Sequence, residues 1–354
     1  MTVSKPTLSN IHALRAVAAM MVVFWHASEQ FDAGFMLFAT DFGNAGVDIF
    51  FVISGFVMVY TSTLRPKGAG AFIRDRLLRI VPMYWIFTTL TVGFILIAPS
   101  AFRGSVFDPI HTVMSYLFLA YPHPVNEGSF SPILRVGWTL NYEMFFYVTF
   151  AAAMFINYSM RVQVSLTVLA LCVLMGPFWG DTTFALFYCR PIILEFGMGM
   201  LIAVAFLKGW LSKIPVRGGQ ALLALGSVTI FLSGPLVGSD SALRFLFFGL
   251  SAATLVVGAL ALERSSSMPF NRVTNLLGAA SYVIYLSHPF VLAAVRILLV
   301  KIGIDGASLL SNTVGILIML LIVMIVGTFS HLWLEKPVTR MLDQNKKNKV
   351  VLDG

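Results

Sequence analysis

The sequence predicts an all-α integral membrane protein of about ten transmembrane helices with both termini cytoplasmic. Three observations carry that expectation. Apolar residues make up 58% of the 354 positions and charged residues only 11%, and mean hydropathy is +0.86; a soluble domain of this size needs far more charge to cover its surface. Apolar runs of spanning length follow one another at 9–29, 45–63, 80–98, 138–156, 163–179, 186–207, 219–237, 243–262, 276–299 and 312–333. Lys and Arg then fall mainly on one side of that pattern, as cytoplasmic loops require. With the N terminus inside, the cytoplasmic segments carry Lys5, Arg65, Lys67, Arg74, Arg76, Arg79, Arg161, Lys208, Lys213, Arg217, Arg264, Arg272, Lys336, Arg340, Lys346, Lys347 and Lys349, which is 17 of the 24 basic residues. Outside or near the outer ends remain Arg103, Arg135, Arg190, Arg244, Arg296 and Lys301, with Arg15 inside the first span. The net charge of +8 follows from this bias, so no nucleic-acid partner is needed to explain it. Residues 1–340 read as one transmembrane domain and 341–354 as a basic cytoplasmic tail, with no internal repeat at a fixed period.

The first span holds Arg15 and His26 in an R-x(10)-H spacing. Ionisable groups within a span are costly and mark function by default. Eleven positions at about 100° each return the two residues to within about 20° of one face, about 16 Å apart. Both should therefore look into one cavity. A signal peptide is not expected here, because the apolar region is long, carries Arg and His, and lacks a small-residue cleavage site. In the second span, Asp48 of GVDIFFVISGF sits just below the outer surface. It suits a sugar hydroxyl or a helix N-terminus as partner, and equally a cap for its own helix. Ahead of the third span, FIRDRLLRIVPMYW places Arg76 and Arg79 three apart on one face. Such arginines grip phosphate bidentately, or simply anchor the cytoplasmic end.

The outer connection from about 98 to 137 is the long loop, with Pro109, Pro122, Pro124, Pro132 and an amphipathic stretch over 110–121. It reads as a membrane-lying segment, a cover for a cavity mouth, or a plain surface connection. The fourth span opens at Trp138 and carries Glu143 about 8 Å below the outer surface. His26 lies about 22 Å up a core about 30 Å thick, so the two share a similar depth. A carboxylate beside an imidazole fixes its tautomer and raises its basicity, as a general base requires. Arg190 and Glu195 of the sixth span lie about 140° apart and should find other partners than each other. In the ninth span, SYVIYLSHP sets Ser281, Tyr285 and His288 on one face, where Pro289 frees a carbonyl for such groups. His12, His111, His123 and His331 read as structural or solvated. Cys172 and Cys189 are too few for a disulfide framework, and no metal site is expected.

LRAVAAMMVVFWH, GVDIFFVISGFVM, RDRLLRIVPMYW, GWTLNYEMFFY, SYVIYLSHP and LEKP occur in this order. Together they closely resemble the membrane acyltransferase-3 family, in particular its bacterial exopolysaccharide O-acetyltransferases, from about Leu8 to Arg340. The resemblance implies about ten core helices in the bacterial cytoplasmic (inner) membrane. It implies transfer of an acyl group, acetyl by default, from cytoplasmic acetyl-CoA or another acyl-CoA to a hydroxyl of a polysaccharide or lipid-linked oligosaccharide, with no bound cofactor. In that scheme Arg15 and His26 match the first-helix pair with His26 the base. Arg76 and Arg79 match the donor-binding motif, and Glu143 matches the acid of the W-x(4)-E segment with Trp138. Asp48, Tyr285 and His288 join the substrate-binding set. Some members carry a fused hydrolase-like domain, which has no counterpart in these 354 residues, so acceptor chemistry is expected from the membrane domain or another protein.

Two routes stay open, direct attack of the acceptor hydroxyl on the thioester and a transient acyl-enzyme. A small diacid as acyl group would need a further cation, and Arg190 or Arg244 could supply one. Two other functions fit an ionisable cavity: a flippase for a lipid-linked sugar, weakened by the lack of inverted repeats, and a scaffold of a polysaccharide assembly complex, weakened by the charges within the bilayer.

Overall fold

The computed structural model describes residues 8–31, 41–98, 106–234, 243–263 and 271–342. Lys5, Arg103, Arg264 and the basic tail residues Lys346, Lys347 and Lys349 lie outside them. Among the described residues every regular element is helical. The α-helices are α1 (Ser9–Ser28), α2 (Gly46–Leu64), α3 (Ala69–Ile97), α4 (Pro109–Tyr116), α5 (Trp138–Ile156), α6 (Arg161–Met175), α7 (Leu194–Leu207), α8 (Val216–Ser233), α9 (Leu250–Ala261), α10 (Asn271–Lys301) and α11 (Leu309–Ser330).

Eight segments among the described residues are long and apolar enough to cross a membrane, and they coincide with eight of the ten expected spans. The other two, 186–207 and 243–262, contain shorter apolar helices, Pro191–Leu207 and Phe245–Ala261. The first is broken for a local reason. Proline forces its predecessor out of the helical region, and Arg190 is extended at φ −71°, ψ 145°. Residues 184–188 form a separate π-turn before it. In the second, a π-turn at Phe245–Gly249 leads into α9. The third expected span begins too late at residue 80. Its helix starts at Ala69, so Arg74, Arg76 and Arg79 belong to α3 itself.

The chain divides into two compact units, residues 1–61 with 195–331, and 62–194 with 332–354. In the first, α1 packs on α10 and α11 through Ala19, Val23, Ala27, Ala280, Ile284, Ile316, Met319 and Val323. Small residues at such seams let backbones approach closely, the main source of packing energy where lipid is as apolar as Leu. The approach is closest where α2 meets α7. A Cβ built at Gly55 would stand 2.0 Å from the Phe196 carbonyl oxygen, and one at Gly199 2.0 Å from that of Val52. No larger residue fits either position. α1 has no side-chain cap of its own. Glu263, just past α9, supplies one by accepting from the Asn10 N–H at 3.1 Å, where a carboxylate complements the helix dipole.

In the second unit α5 runs antiparallel to α3. Phe72 meets Phe150 at 5.3 Å between ring centroids, and a Cβ at Gly137 would stand 2.6 Å from the Tyr84 ring. α5 therefore begins level with Tyr84, about 20 Å short of the Ile97 end of α3. The remaining length of α3 is covered by the loop. Asp108 caps α4 by accepting from the His111 N–H at 2.6 Å, and Pro109 suits the first helical turn. The Tyr84 hydroxyl donates to the Ser115 carbonyl at 3.0 Å and Trp85 Nε1 to that of Tyr116 at 2.9 Å. The helix stops at Tyr116, short of the expected 121. There Phe118 takes a left-handed φ of 58° and lays its ring 4.4 Å from that of Tyr84. A bulky residue holds such a backbone only when its surroundings fix it.

His123 fastens the rest of this loop. Its Nδ1 accepts from the amides of Val125 and Asn126 at 3.2 and 3.1 Å, which requires an unprotonated nitrogen. Burial, then the neighbouring His111 and Arg135, holds its pKa below the ordinary 6.5. The unfolded loop thus takes up protons more readily than the folded one. Stability from this group is complete above about pH 6.5 and falls as the pH drops below it. Cleavage of the 123–129 segment by a pH-tolerant protease should rise between pH 7 and 5. In His123→Asn, which keeps an acceptor but does not titrate, that rise should disappear.

Candidate active site

The first unit brings Arg15 and His26 against one helix. Arg15 donates through Nε and Nη2 to Ser281 Oγ at 3.3 and 3.1 Å, and Ser281 passes a hydrogen bond to the Gly278 carbonyl at 2.8 Å. Two turns further, the rings of His26 and His288 lie 4.8 Å apart. Ser281 and His288 both meet α1, so the polar stripe read from SYVIYLSHP faces the helix bundle. Tyr285 is buried on that stripe beside Phe50 of α2, at 6.2 Å.

His26 Nδ1 lies 2.9 Å from the Val22 carbonyl. A carbonyl only accepts, so Nδ1 carries the hydrogen and Nε2 keeps the lone pair. The i−4 carbonyl of its own helix thus holds the ring in this orientation. Trp25 borders the ring at 4.5 Å.

Asp48 has a partner the sequence did not indicate. Arg244 grips both its carboxylate oxygens, Nε to Oδ1 at 3.0 Å and Nη2 to Oδ2 at 2.6 Å. Nη2 also reaches the Asn44 carbonyl at 3.1 Å. Asp48 is 0% and Arg244 4% exposed. Glu195, also fully buried, interacts electrostatically with both, in space that Gly249 leaves by lacking a side chain. One cation therefore faces two carboxyl groups.

The second unit collects the other motif residues. Arg76 is buried on α3, with its guanidinium 5.6 Å over the Phe72 ring, and Arg79 is exposed one turn on. From α5, the Tyr147 hydroxyl donates to Glu143 Oε1, and both residues act electrostatically on Arg76. Glu143 is therefore level with the arginine motif. α5 starts far down α3 rather than at its Ile97 end, which is what brings Glu143 to this level. Trp138 opens α5 against Tyr142, with ring centroids at 5.9 Å. Tyr147 went unnoticed in the sequence, although its i+4 spacing from Glu143 put it on the same face. Two arginines at this spacing repel, and one carboxylate offsets one of them. A positive charge remains to meet an anion such as phosphate.

Among the described residues no group of three His, Cys, Asp or Glu is arranged to hold a metal, and Cys172 and Cys189 are both free.

Apolar helices of spanning length that carry ionisable groups within them define a multi-pass membrane protein of the kind whose buried charges serve function. The chain belongs to the acyltransferase-3 family (Acyltransferase domain), which it matches over residues 8–333. It is 35% identical over 326 residues to the exopolysaccharide production protein ExoZ of Rhizobium meliloti (strain 1021), across 90% of this chain and 95% of that one. A shorter match, 31% over 153 residues, links 40% of this chain to 38% of the acyltransferase MdmB of Streptomyces mycarofaciens. No solved structure matches the chain. The protein is thus a multi-pass membrane acyltransferase, and its reaction needs an acyl donor as co-substrate.

The Asp48 cluster gives a stability test. Arg244→Ala leaves buried carboxylates without their cation and should lower stability by about 3–5 kcal/mol. Glu195→Gln keeps the shape of the carboxyl that shares this cation with Asp48 and removes any demand to bury a second negative charge, so it should leave stability unchanged or raised. Thermal unfolding in detergent distinguishes the two; equal losses would contradict this charge balance.

Proposed function

We propose that this enzyme moves an acyl group, acetyl by default, from cytoplasmic acyl-CoA to a hydroxyl of an exopolysaccharide or another envelope glycan, possessing ten spans in the bacterial cytoplasmic membrane with both termini inside. The family and the likeness to an exopolysaccharide production protein support the substrate classes. The observation that carries the mechanism is the 2.9 Å contact of His26 Nδ1 with the Val22 carbonyl, which favours the tautomer with Nε2 as a base.

Arg76 and Arg79 hold the donor's phosphates, with Glu143 and Tyr147 keeping Arg76 in place. His26 Nε2 takes the proton of the acceptor hydroxyl as its oxygen attacks the thioester carbon. The carbon–sulfur bond breaks, and the departing thiolate recovers the proton, giving an ester and free CoA thiol. Arg15, on the same face of α1, keeps positive charge on the side of the reacting carbonyl. Within the first unit Tyr285 and His288 bind the acceptor, and Asp48 with Arg244 holds the helix ends that frame it; within the second, Trp138 binds the donor. Glycan acceptor and donor are the partners in this scheme, and no further cofactor enters it.

His26→Ala should abolish acylation of the glycan, by about 100-fold or more, while protein in the membrane fraction is unchanged. Arg76→Ala and Arg79→Ala should instead raise the KM for acyl-CoA. Mass spectrometry of the glycan reads the first, and normal acylation in the His26 variant would overturn the assignment of the base.

A further inference from the structure

The chain contains two cysteines, and they meet. Cys172 lies near the end of α6, and the thiol of Cys189 is within hydrogen-bonding reach of its own. Gly176, one turn after Cys172, makes the room: a Cβ there would stand 2.6 Å from that of Cys189 and 3.7 Å from its sulfur. Cys172 is 8% and Cys189 6% exposed, and both carry free thiols. Packing alone accounts for a buried cysteine, which behaves as a small apolar residue. It does not account for the two thiols of a 354-residue chain lying against each other.

Their place along the helix adds a second argument. α6 starts at Arg161, on the cytoplasmic side in the orientation proposed above, and Cys172 is about 16 Å further out. Residues 176–190 then form an outer connection, where Phe178 and Trp179 are exposed as suits a membrane–water interface. Cys189 closes this connection just before Pro191. Disulfides form and persist on the outer side of a bacterial cytoplasmic membrane, whereas the inner side keeps thiols reduced. The residues beside Cys189 also have work to hold in place. The Phe187 ring stacks on that of Tyr142 in α5 at 4.3 Å, and the Tyr188 hydroxyl accepts from the Ala120 amide of the long loop at 3.1 Å.

We propose that Cys172 and Cys189 are a modification site, joined as a disulfide by a thiol–disulfide exchange protein of the outer side. The proposal rests on both termini being cytoplasmic. One cysteine thiolate attacks the carrier's disulfide, giving a mixed disulfide and one carrier thiol. The second cysteine then displaces the remaining carrier sulfur. The bond between Cys172 and Cys189 forms, and the carrier leaves as a dithiol with both electrons and both protons. Since the sulfurs are buried once residues 176–190 are in place, the exchange precedes the closing of that connection. The finished link ties α6 to the segment that joins α5 and the long loop.

The test counts thiols in the full-length protein, taken from membranes quenched with N-ethylmaleimide in denaturing detergent. Mass spectrometry should find neither cysteine alkylated before reduction, both after it, and a peptide joining 172 to 189. Cys172→Ala should leave Cys189 open to alkylation. Dithiothreitol should lower the Tm of the native protein in detergent by about 5 °C and leave that of Cys172→Ala unchanged. Should Cys172→Ala fail to fold, the thiol count and the Tm of the native protein carry the test. Two alkylated thiols without reductant overturn the proposal, as does a native Tm that ignores dithiothreitol. The orientation is read separately, by Asp181→Cys in a Cys172→Ala, Cys189→Ala background. Labelling of that cysteine by a membrane-impermeant maleimide outside spheroplasts supports cytoplasmic termini, and labelling only after lysis would overturn them.

Discussion

Placing ionisable side chains in apolar helices requires that each be answered by protein, because lipid answers none of them. The structure meets this requirement in three places. Arg15 is met by Ser281, Asp48 by Arg244, and Arg76 by Glu143 and Tyr147. In each case the partner comes from a helix distant in sequence, so the polar contacts specify which helices must meet. Close approach at Gly55 and Gly199 and the small residues between α1 and α10 then allow the meeting.

Proline acts as the second organising device, and its effect depends on position. At Pro191 it sits just past an extended residue and ends a helix. At Pro289 the helix continues, and the carbonyl it releases goes to a histidine side chain. The backbone carbonyl at Val22 does the same for His26 without a proline. The two histidines therefore owe their protonation pattern to main-chain acceptors. That makes the pattern insensitive to side-chain motion nearby.

The periodic features of this molecule could be read from its sequence. Apolar runs gave the helices, the eleven-residue spacing gave the shared face of Arg15 and His26, and the spacing of Ser281, Tyr285 and His288 gave their stripe. Contacts between remote segments could not be read so directly. Nothing near Asp48 points to a residue 196 positions away. The nearness of Glu143 to Arg76 was not legible from counting residues along its own span, because the loop before α5 descends along α3 before that helix starts. The break at Pro191 was legible in principle, since a proline inside an apolar run interrupts it.

The central claim is that the His26 ring carries its hydrogen on Nδ1 and presents Nε2 as the base. Nitrogen-15 NMR of histidine-labelled protein in lipid, with His26→Ala to identify the resonances, measures this directly. The account predicts a protonated Nδ1 and an unprotonated Nε2 for neutral His26. A signal from the opposite tautomer, with hydrogen on Nε2, would contradict it.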